Sequence, residues 1–202
     1  MKILIATHNK AKLEEIKWGL SDLRNIEILS LEDIKIFESP EEDGETFRDN
    51  AYKKAKFYSE IAKIPTIADD GGLIIPYLNG EPGVKSRRWL GYEASDEELI
   101  NHTLKKLKNV SGEKRLAYLQ TCVCFYDPQK EILILEEEKI EGYIAYEPSK
   151  KRIAGYPFRS LFIVKEFNKY YDELSEEEHF KINHRLQALS RLKEKIKDIY
   201  KI

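Results

Sequence analysis

Asp69 and Asp70 are two adjacent carboxylates that follow a strand-like apolar stretch at residues 66–68 and precede two glycines. Adjacent carboxylates repel each other unless a cation or a base neutralises them. Such oxygens suit Mg²⁺, which combines one or two carboxylates with the phosphates of a substrate. An Asp-Gly turn between two strands would have the same residues. The residues alone therefore leave a metal site and a simple turn as two open interpretations.

The sequence ATHNKAK at residues 6–12 is a second candidate for chemistry. An apolar run precedes it and hydrophobic residues at helical spacing follow, which predicts a strand, a short turn and a helix. Backbone N–H groups at the positive end of a helix can bind phosphate. Asn9 can cap this helix or orient a phosphate, while Lys10 and Lys12 supply positive charge. A capped surface helix with solvated lysines is the alternative.

Three further polar groups are weaker signals. The acidic residues 41–43 precede a helix start, where carboxylates could bind metal or simply stabilise the helix dipole. Residues 86–89, Ser-Arg-Arg-Trp, could clamp a phosphate or form a charged loop with an anchoring tryptophan. Residues 183–185, Asn-His-Arg, could bind carbonyl oxygens or anions at a helix start, or form a solvated turn.

The surrounding pattern predicts an α/β fold with a mixed, strongly twisted sheet, flanking helices and two lobes around a central cleft. Capping boxes predict three helix starts, at Thr46 with Asp49, Ser95 with Glu98 and Ser175 with Glu178. Six segments are strand-like, at residues 1–7, 26–31, 66–68, 116–126, 132–145 and 160–165. We expect a single domain over residues 1–202.

Composition narrows the classes of partner. The chain has 202 residues, of which 42% are hydrophobic, and its formal net charge is −2. That balance argues against a nucleic-acid or membrane-surface binder, because affinity for phosphate backbones needs surplus positive charge. No apolar run approaches the roughly 20 residues of a membrane span, and the start lacks the pattern of a secretory signal. With only Cys122 and Cys124, expected to be buried and unpaired, we expect a cytoplasmic protein.

Together these motifs resemble the inosine triphosphate pyrophosphatase family, the dITP/XTP pyrophosphatases, from residue 1 to about residue 189. ATHNKAK resembles the family's ATxNxxK, IADDGGL its ADDSGL, PGVKSRRW its PGxxSxR[YF], and NHRLQAL its SHRxxAL. The E-x-G-x-T-F-x-x-N-A-x-x-K-A segment is matched at Glu42, Gly44, Thr46, Phe47, Asn50, Ala51, Lys54 and Ala55. The chain departs from the base-holding loop FGYDP, where Ala154 replaces the aromatic residue and Pro157 the aspartate, and it has His179 where the family has a lysine.

The resemblance implies Mg²⁺-dependent hydrolysis of deaminated purine nucleoside triphosphates (ITP, dITP, XTP) to the monophosphate and pyrophosphate. It implies Glu42 and Asp70 as metal ligands, and Asp70, Asp69 and Lys12 as catalytic residues. The substrate-binding residues that it implies are Thr7, Asn9, Lys12, Lys54, Ser86, Arg88, Gly155, Tyr156, His184 and Arg185. It also implies a homodimer. The altered loop leaves two alternatives, the same reaction with altered or relaxed base specificity, or nucleotide binding without turnover.

Overall fold

The computed structural model describes residues 1–201, whose contacts divide them into two compact units. Unit 1 comprises residues 1–70, 121–138 and 184 onward, and unit 2 comprises residues 71–120 and 139–183. The helices are α1 Lys10–Gly19, α2 Phe47–Ala62, α3 Asp96–Lys106, α4 Glu176–Ile182 and α5 His184–Tyr200. The strands are β1 Lys2–Ile5, β2 Glu27–Ser30, β3 Thr66–Ile74, β4 Leu116–Asp127, β5 Ile132–Ile144, β6 Phe162–Val164 and β7 Lys169–Tyr170.

The strands form one seven-stranded mixed sheet in the order β2-β1-β3-β4-β5-β6-β7. β1 runs parallel to both of its neighbours, with Ile5 opposite Ser30 of β2 and Ile67 of β3. β6 is antiparallel to β5 and to β7. Parallel strands need long crossover connections, and these contain the helices α1 and α2. The predicted mixed α/β fold with flanking helices is confirmed.

Local sequence signals account for the helix starts. At each of the three predicted capping boxes, the Ser or Thr side chain accepts a hydrogen bond from the backbone N–H three residues on. The acidic side chain at that position accepts one in return from the capping residue. Two orphan donors are thereby satisfied at each helix start.

The core of unit 1 lies between the sheet and helices α1 and α5. Ile3 and Ile5 of β1 point to this core, together with Ile67 of β3. From the helices it receives Ile16, Leu20, Leu186, Ala188, Leu189, Leu192 and Ile196. Since alternate residues of a strand face opposite sides, residues 67 and 69 of β3 face α1 and α5, while residue 70 faces away from them.

The core of unit 2 is built around α3. Leu99 and Ile100 of this helix pack with Phe162 of β6 and with Phe158 from a 3₁₀ turn, Pro157–Leu161. Trp89 packs against the same cluster. This core fixes the 3₁₀ turn, and with it the adjoining loop at residues 154–156.

The structure differs from the sequence-based expectation in several elements. The first strand, predicted over residues 1–7, spans only Lys2–Ile5. β3 does not end before Asp69 but continues to Ile74. β6 begins at Phe162 rather than residue 160, because Pro157 starts a 3₁₀ turn through Leu161. The two-residue strand β7 was not predicted, since it is too short to show a period.

Two further expectations can be compared with the described residues. Cys122 and Cys124 are buried and unpaired, as predicted. Among the helices within residues 1–201, none combines the length and the apolar character needed to cross a membrane.

Candidate functional site

The alternation of strand β3 directs the two adjacent carboxylates to opposite faces of the sheet. Asp69 contacts Lys12 of α1 and Arg185 of α5, whereas Asp70 contacts Lys54 of α2. All five residues belong to unit 1. The two carboxylates therefore have different cationic partners, which relieves the repulsion expected from their adjacency.

Asp69 is an anion fixed between two cations. Lys12 Nζ lies 2.9 Å and Arg185 Nε 3.0 Å from Asp69 Oδ2, and the Asp69 side chain is fully buried. Burial alone would raise the pKa of Asp69, but Lys12 and Arg185 outweigh it and hold this pKa well below its ordinary value. Arg185 also pairs with Glu15 of α1. The two cations thus favour the ionised form of Asp69.

Lys12 shows the opposite balance. Burial lowers its pKa, and the neighbouring Arg185 and Lys54 lower it further, although Asp69 partly compensates. An ammonium group under such positive potential gains from an additional anion nearby. Lys12 is therefore suited to a polyanionic ligand such as a phosphate chain.

The negative charge of Asp70 is less well neutralised by nearby cations than that of Asp69. Lys54 Nζ lies 3.5 Å from Asp70 Oδ1 and 2.8 Å from Glu42 Oε1. Burial raises the pKa of Asp70 despite Lys54 and Lys12, whereas the pKa of Lys54 is raised because Asp70 and Glu42 outweigh its burial. Thr121 Oγ1 donates to the backbone carbonyl of Asp70 at 3.0 Å, which fixes the strand at this point.

The donor set around Asp70 fits a hard cation. Within residues 1–201, Asp70 Oδ2 and Asp69 Oδ1 are buried oxygens with no hydrogen-bond partner. The same described residues contain no ready-made cluster of three or more His, Cys, Asp or Glu side chains in metal-binding arrangement. Glu42 and Asp70 are two carboxylates that share the ammonium group of Lys54. Mg²⁺ is usually bound by only one or two protein carboxylates and takes its other oxygen ligands from water and phosphates. The residues present therefore fit this ion.

The loop before α1 is held by its own polar side chains. Asn9 caps α1, its Oδ1 accepting from the N–H groups of Ala11 at 2.9 Å and Lys12 at 3.2 Å. Thr7 Oγ1 accepts from the N–H of Asn9 at 3.2 Å. The sequence allowed Asn9 either to cap α1 or to orient a phosphate, and in the structure its side chain caps the helix. The cap orients the first turn of α1, from which Lys12 reaches Asp69.

The loop before α2 carries Glu42 and approaches the helix closely. The N–H of Gly44 donates to Asn50 Oδ1 at 2.8 Å. A Cβ atom at Gly44 would lie 2.6 Å from Asn50 Oδ1, so any side chain here would displace the loop. This contact explains why the segment that holds Glu42 has a glycine at position 44 and an asparagine at position 50.

Four of the predicted substrate-binding residues lie in unit 2. The Ser86 hydroxyl is used internally, because it donates to the Gly83 carbonyl at 2.7 Å and accepts from the Leu73 N–H at 3.1 Å. Gly72 is required there, since a Cβ atom would lie 2.0 Å from Ser86 Oγ. Arg88 is exposed on the 3₁₀ turn Gly83–Arg88.

Gly155 and Tyr156 are held by residues that the sequence motifs did not indicate. The Gly155 N–H donates to Asp96 Oδ2 at 2.7 Å, and Asp96 Oδ1 pairs with Arg87 at 2.5 Å. Gly155 has φ +85°, a conformation that favours glycine. The Arg159 guanidinium lies 3.5 Å from the centre of the half-buried Tyr156 ring. Asp96 thereby ties the altered loop to the 83–88 turn.

His184 and Arg185 begin α5 and are both buried, with 4% and 3% of their surface exposed. Nine of the predicted residues belong to unit 1, namely Thr7, Asn9, Lys12, Glu42, Lys54, Asp69, Asp70, His184 and Arg185. Ion pairs connect Lys12 and Arg185 to Asp69, and Glu42 and Asp70 to Lys54. Sequence reasoning missed Glu15, the partner of Arg185. Its position three residues after Lys12, on the same helix face, is the only signal that could have indicated it.

Comparison with known proteins gives one consistent result. The model of the Ham1 family matches residues 3–195. A dITP/XTP pyrophosphatase of Thermoanaerobacter sp. (strain X514) is 42% identical over 193 residues, covering 96% of this chain and 95% of that protein. The Bacillus subtilis dITP/XTP pyrophosphatase is 38% identical over 189 residues, covering 94% and 93%.

A solved structure agrees with the sequence comparisons. The HAM1 protein from Coxiella burnetii superposes with a TM-score of 0.86 at 32% identity, covering 98% of this chain and 99% of that one. The agreement of family model, relatives and fold over nearly the whole length leads to one conclusion: this chain belongs to the Ham1 family.

Proposed function

We propose that this protein is a Mg²⁺-dependent nucleoside triphosphate pyrophosphatase that hydrolyses ITP, dITP and XTP to the monophosphate and pyrophosphate. Membership of the Ham1 family and the names of its relatives support the reaction class. The observation that carries the proposal is the buried, unpartnered Oδ2 of Asp70, whose carboxylate lies with Glu42 beside the ammonium group of Lys54, while Lys12 pairs with the adjacent Asp69. Carboxylates and ammonium groups arranged in this way suit a divalent cation that binds together with the phosphate chain of a nucleotide.

Glu42 and Asp70 would hold Mg²⁺, which when bound supplies charge neutralisation on the phosphate oxygens. Phosphoryl chemistry needs positioning and charge neutralisation more than a covalent nucleophile. Lys12 and Lys54 would add donors to the phosphate chain, since both ammonium groups lie beside the carboxylates. In this arrangement Asp69 holds Lys12 and Arg185 in place.

Asp70 is the proposed group that orients and deprotonates the attacking water. One of its oxygens, Oδ2, is buried without a hydrogen-bond partner in residues 1–201 and is therefore available to a water molecule. The water oxygen forms a bond to the α-phosphorus while the bond from that phosphorus to the α–β bridging oxygen breaks. The electron pair of this bond leaves with pyrophosphate, and the water proton passes to the Asp70 carboxylate.

The remaining predicted residues would bind other parts of the substrate. We assign Thr7 and Asn9 to the phosphate loop at the start of α1. Ser86 would shape the 83–88 turn, from which Arg88 would contact the substrate. His184 and Arg185 would bind the substrate nearer its base. Further polar donors besides the metal site are expected, because a tetraanionic substrate has many oxygens to satisfy.

A second candidate, the same reaction with relaxed base choice, is favoured by one observation. Ala154 is exposed where the family has an aromatic residue, and Tyr156 stacks on Arg159 in the same loop. Gly155 and Tyr156 would then bind the base with a replacement ring. A site that hydrogen-bonds a 6-oxo group rejects a 6-amino purine strongly only if the base is held in register.

A panel of triphosphates tests these proposals. The full-length protein is incubated with Mg²⁺ and ITP, XTP, dITP, ATP, GTP or a pyrimidine triphosphate, and ³¹P NMR distinguishes pyrophosphate from phosphate. We expect pyrophosphate, with ITP and XTP preferred over ATP. Equal cleavage of all purine triphosphates would favour the second candidate. Binding of ITP without any product would establish a binding protein and overturn the proposed activity.

We also propose that the protein acts as a homodimer in the cytoplasm. The family resemblance implies the dimer, and the two buried, unpaired cysteines support the compartment. Light scattering coupled to size exclusion tests the dimer, and a single-chain mass would contradict it.

A further inference from the structure

The loop that carries Glu42 is fastened to α2 at three successive turns. Asn50 Oδ1 accepts from the Gly44 N–H at 2.8 Å, Lys54 Nζ pairs with Glu42 at 2.8 Å, and Tyr58 donates its hydroxyl to the Glu38 carbonyl at 2.9 Å. The three helix residues are spaced by four and therefore share one face. Their loop partners follow in reverse order, so the loop runs antiparallel along the helix.

Tyr58 is the outermost of these three contacts and lies outside the motifs that indicated the site. Its side chain is buried, with 2% exposed, and burial raises its pKa, so that the hydroxyl remains a donor. The same hydroxyl lies 3.2 Å from His8 Nε2, which is itself 3.4 Å from the Glu38 carbonyl oxygen. His8 stands between Thr7 and Asn9 in the loop before α1. Tyr58 thus contacts both loops of the site.

The loop depends on such contacts because it has little structure of its own. Residues 36–44 form no helix or strand, and acidic side chains at 38, 41, 42, 43 and 45 repel one another. The central contact is shared, since Lys54 also lies 3.5 Å from Asp70. A cation at Asp70 competes with Lys54 for the carboxylates, and a phosphate competes with the carboxylates for Lys54. The contacts of Asn50 and Tyr58, in contrast, use only neutral groups. Together with the ion pair between Lys53 of α2 and Asp43 of the loop, these flanking contacts can hold Glu42 while the site is in use.

We propose that Tyr58, together with His8, is a positioning pair that fixes Glu42 for cation binding and couples the Glu42 loop to the loop before α1. The inference rests on the proposed function, because it takes Glu42 as a ligand of Mg²⁺. Neither residue touches the substrate or the metal in this assignment. Their effect passes through the Glu38 carbonyl and the backbone of residues 38–42.

Tyr58→Phe removes only the hydroxyl, and Tyr52→Phe is the matched control. Tyr52 lies on the same helix and packs edge-on against Tyr126 at 5.9 Å between ring centres. The readout is the affinity for Mn²⁺ alone, as a spectroscopic substitute for Mg²⁺, measured by electron paramagnetic resonance on the full-length protein. We expect Tyr58→Phe to weaken Mn²⁺ binding about five- to tenfold, as for the loss of one hydrogen bond, and Tyr52→Phe to leave it unchanged.

Two further readouts separate positioning from general stability. Hydrogen exchange of metal-free protein should show faster exchange in residues 38–44 of Tyr58→Phe, without a change in β1 or β3. The turnover deficit of Tyr58→Phe at low Mg²⁺ should disappear at saturating Mg²⁺. Wild-type Mn²⁺ affinity and exchange in Tyr58→Phe would overturn the inference.

His8 is tested by a conservative pair of variants. His8→Gln keeps a polar nitrogen near the position of Nε2 and should retain most of the Mn²⁺ affinity. His8→Leu should weaken binding, and the double variant with Tyr58→Phe should lose less than the product of the two single losses. Equal effects of His8→Gln and His8→Leu, or strict additivity, would contradict the coupling. A wild-type protein that binds Mn²⁺ but cleaves no triphosphate would refute the proposed function and leave the positioning role standing.

Discussion

The guanidinium of Arg185 lies 3.0 Å from the carboxylate of Asp69, although 116 positions separate the two residues in the chain. The contact joins the first turn of α5 to the centre of β3, and Lys12 completes it from α1. Asp69 is consequently neutralised by two cations at 2.9 and 3.0 Å, whereas the adjacent Asp70 pairs with Lys54 at the longer distance of 3.5 Å. This asymmetry gives the two neighbouring carboxylates different expected behaviour on mutation.

Asp70→Asn should abolish hydrolysis while leaving the fold intact. The substitution keeps the size of the side chain but removes the negative charge needed to hold a cation and accept a proton. We expect kcat to fall at least about 10²-fold, the lower range for loss of a general base. Steady-state kinetics with ITP, with circular dichroism as the folding control, measures this. Near-normal turnover would remove Asp70 from the mechanism.

Asp69→Asn should instead destabilise the protein. It leaves Lys12 and Arg185 buried without their common anion, and loss of one partner of a buried ion pair costs about 3–5 kcal/mol. Chemical denaturation of both proteins at neutral pH gives the difference. A fully stable Asp69→Asn variant would show that the ion pairs contribute nothing to stability.

The same carboxylate predicts an acid dependence of stability. The ordinary pKa of Asp69 is 3.8 and its folded value is lower, so below about pH 4 the unfolded chain binds the extra proton. The stabilisation by Asp69 is therefore present above about pH 4 and is lost as the pH falls further. Denaturation midpoints between pH 2 and about 6 should fall less steeply for Asp69→Asn than for wild type. Parallel curves would disprove this origin of the acid sensitivity.

Lys12→Met should weaken binding of the triphosphate much more than binding of the monophosphate product. The substitution keeps the apolar stem but removes a charge that is available to the phosphate chain. Titration calorimetry with a non-hydrolysable ITP analogue and with IMP compares the two ligands. Lys10→Met, on the exposed side of the same turn, is the control. Equal loss for both ligands would mean that Lys12 does not contact the β- or γ-phosphate.

Tyr156→Ala tests the altered base loop. If this ring replaces the missing aromatic residue at Ala154, its loss should raise KM for ITP more than it lowers kcat, because stacking contributes mainly to ground-state binding. Inhibition by inorganic tripolyphosphate, which has no base, should be unchanged. The same loss of affinity for tripolyphosphate and ITP would indicate a collapsed loop instead of a missing stacking ring.

Asp172→Asn should stabilise the protein at neutral pH. Burial raises the pKa of Asp172 from 3.8 to about 6, although Arg159 opposes it, so the folded state holds the extra proton between these values. Stability from this group is present at low pH and is lost as the pH rises through about 6. The variant should gain about 3 kcal/mol at pH 7 and little at pH 4. Asp198→Asn, exposed on α5, is the control, and a gain independent of pH would contradict this cause.

The helices and most strands follow from the sequence alone, because the signals that determine them are local. The capping boxes at Thr46, Ser95 and Ser175 define helix starts within a few residues, and apolar periodicity predicts which face is buried. The ordered motifs also predict the family, since each combines residue types at short fixed spacing. These conclusions required no knowledge of how distant segments meet.

Only the tertiary structure determines which cations pair with each of the two adjacent carboxylates. The sequence indicated that Asp69 and Asp70 need cations, but it predicted that β3 would end before them. Because the strand continues, its alternation directs Asp69 to Lys12 and Arg185 and Asp70 to Lys54. Contacts between segments far apart in the chain depend on the register of the sheet and the docking of helices on each face. Local spacing does not encode either of these, which is why Arg185, predicted to contact substrate near the base, was not foreseen as the partner of Asp69.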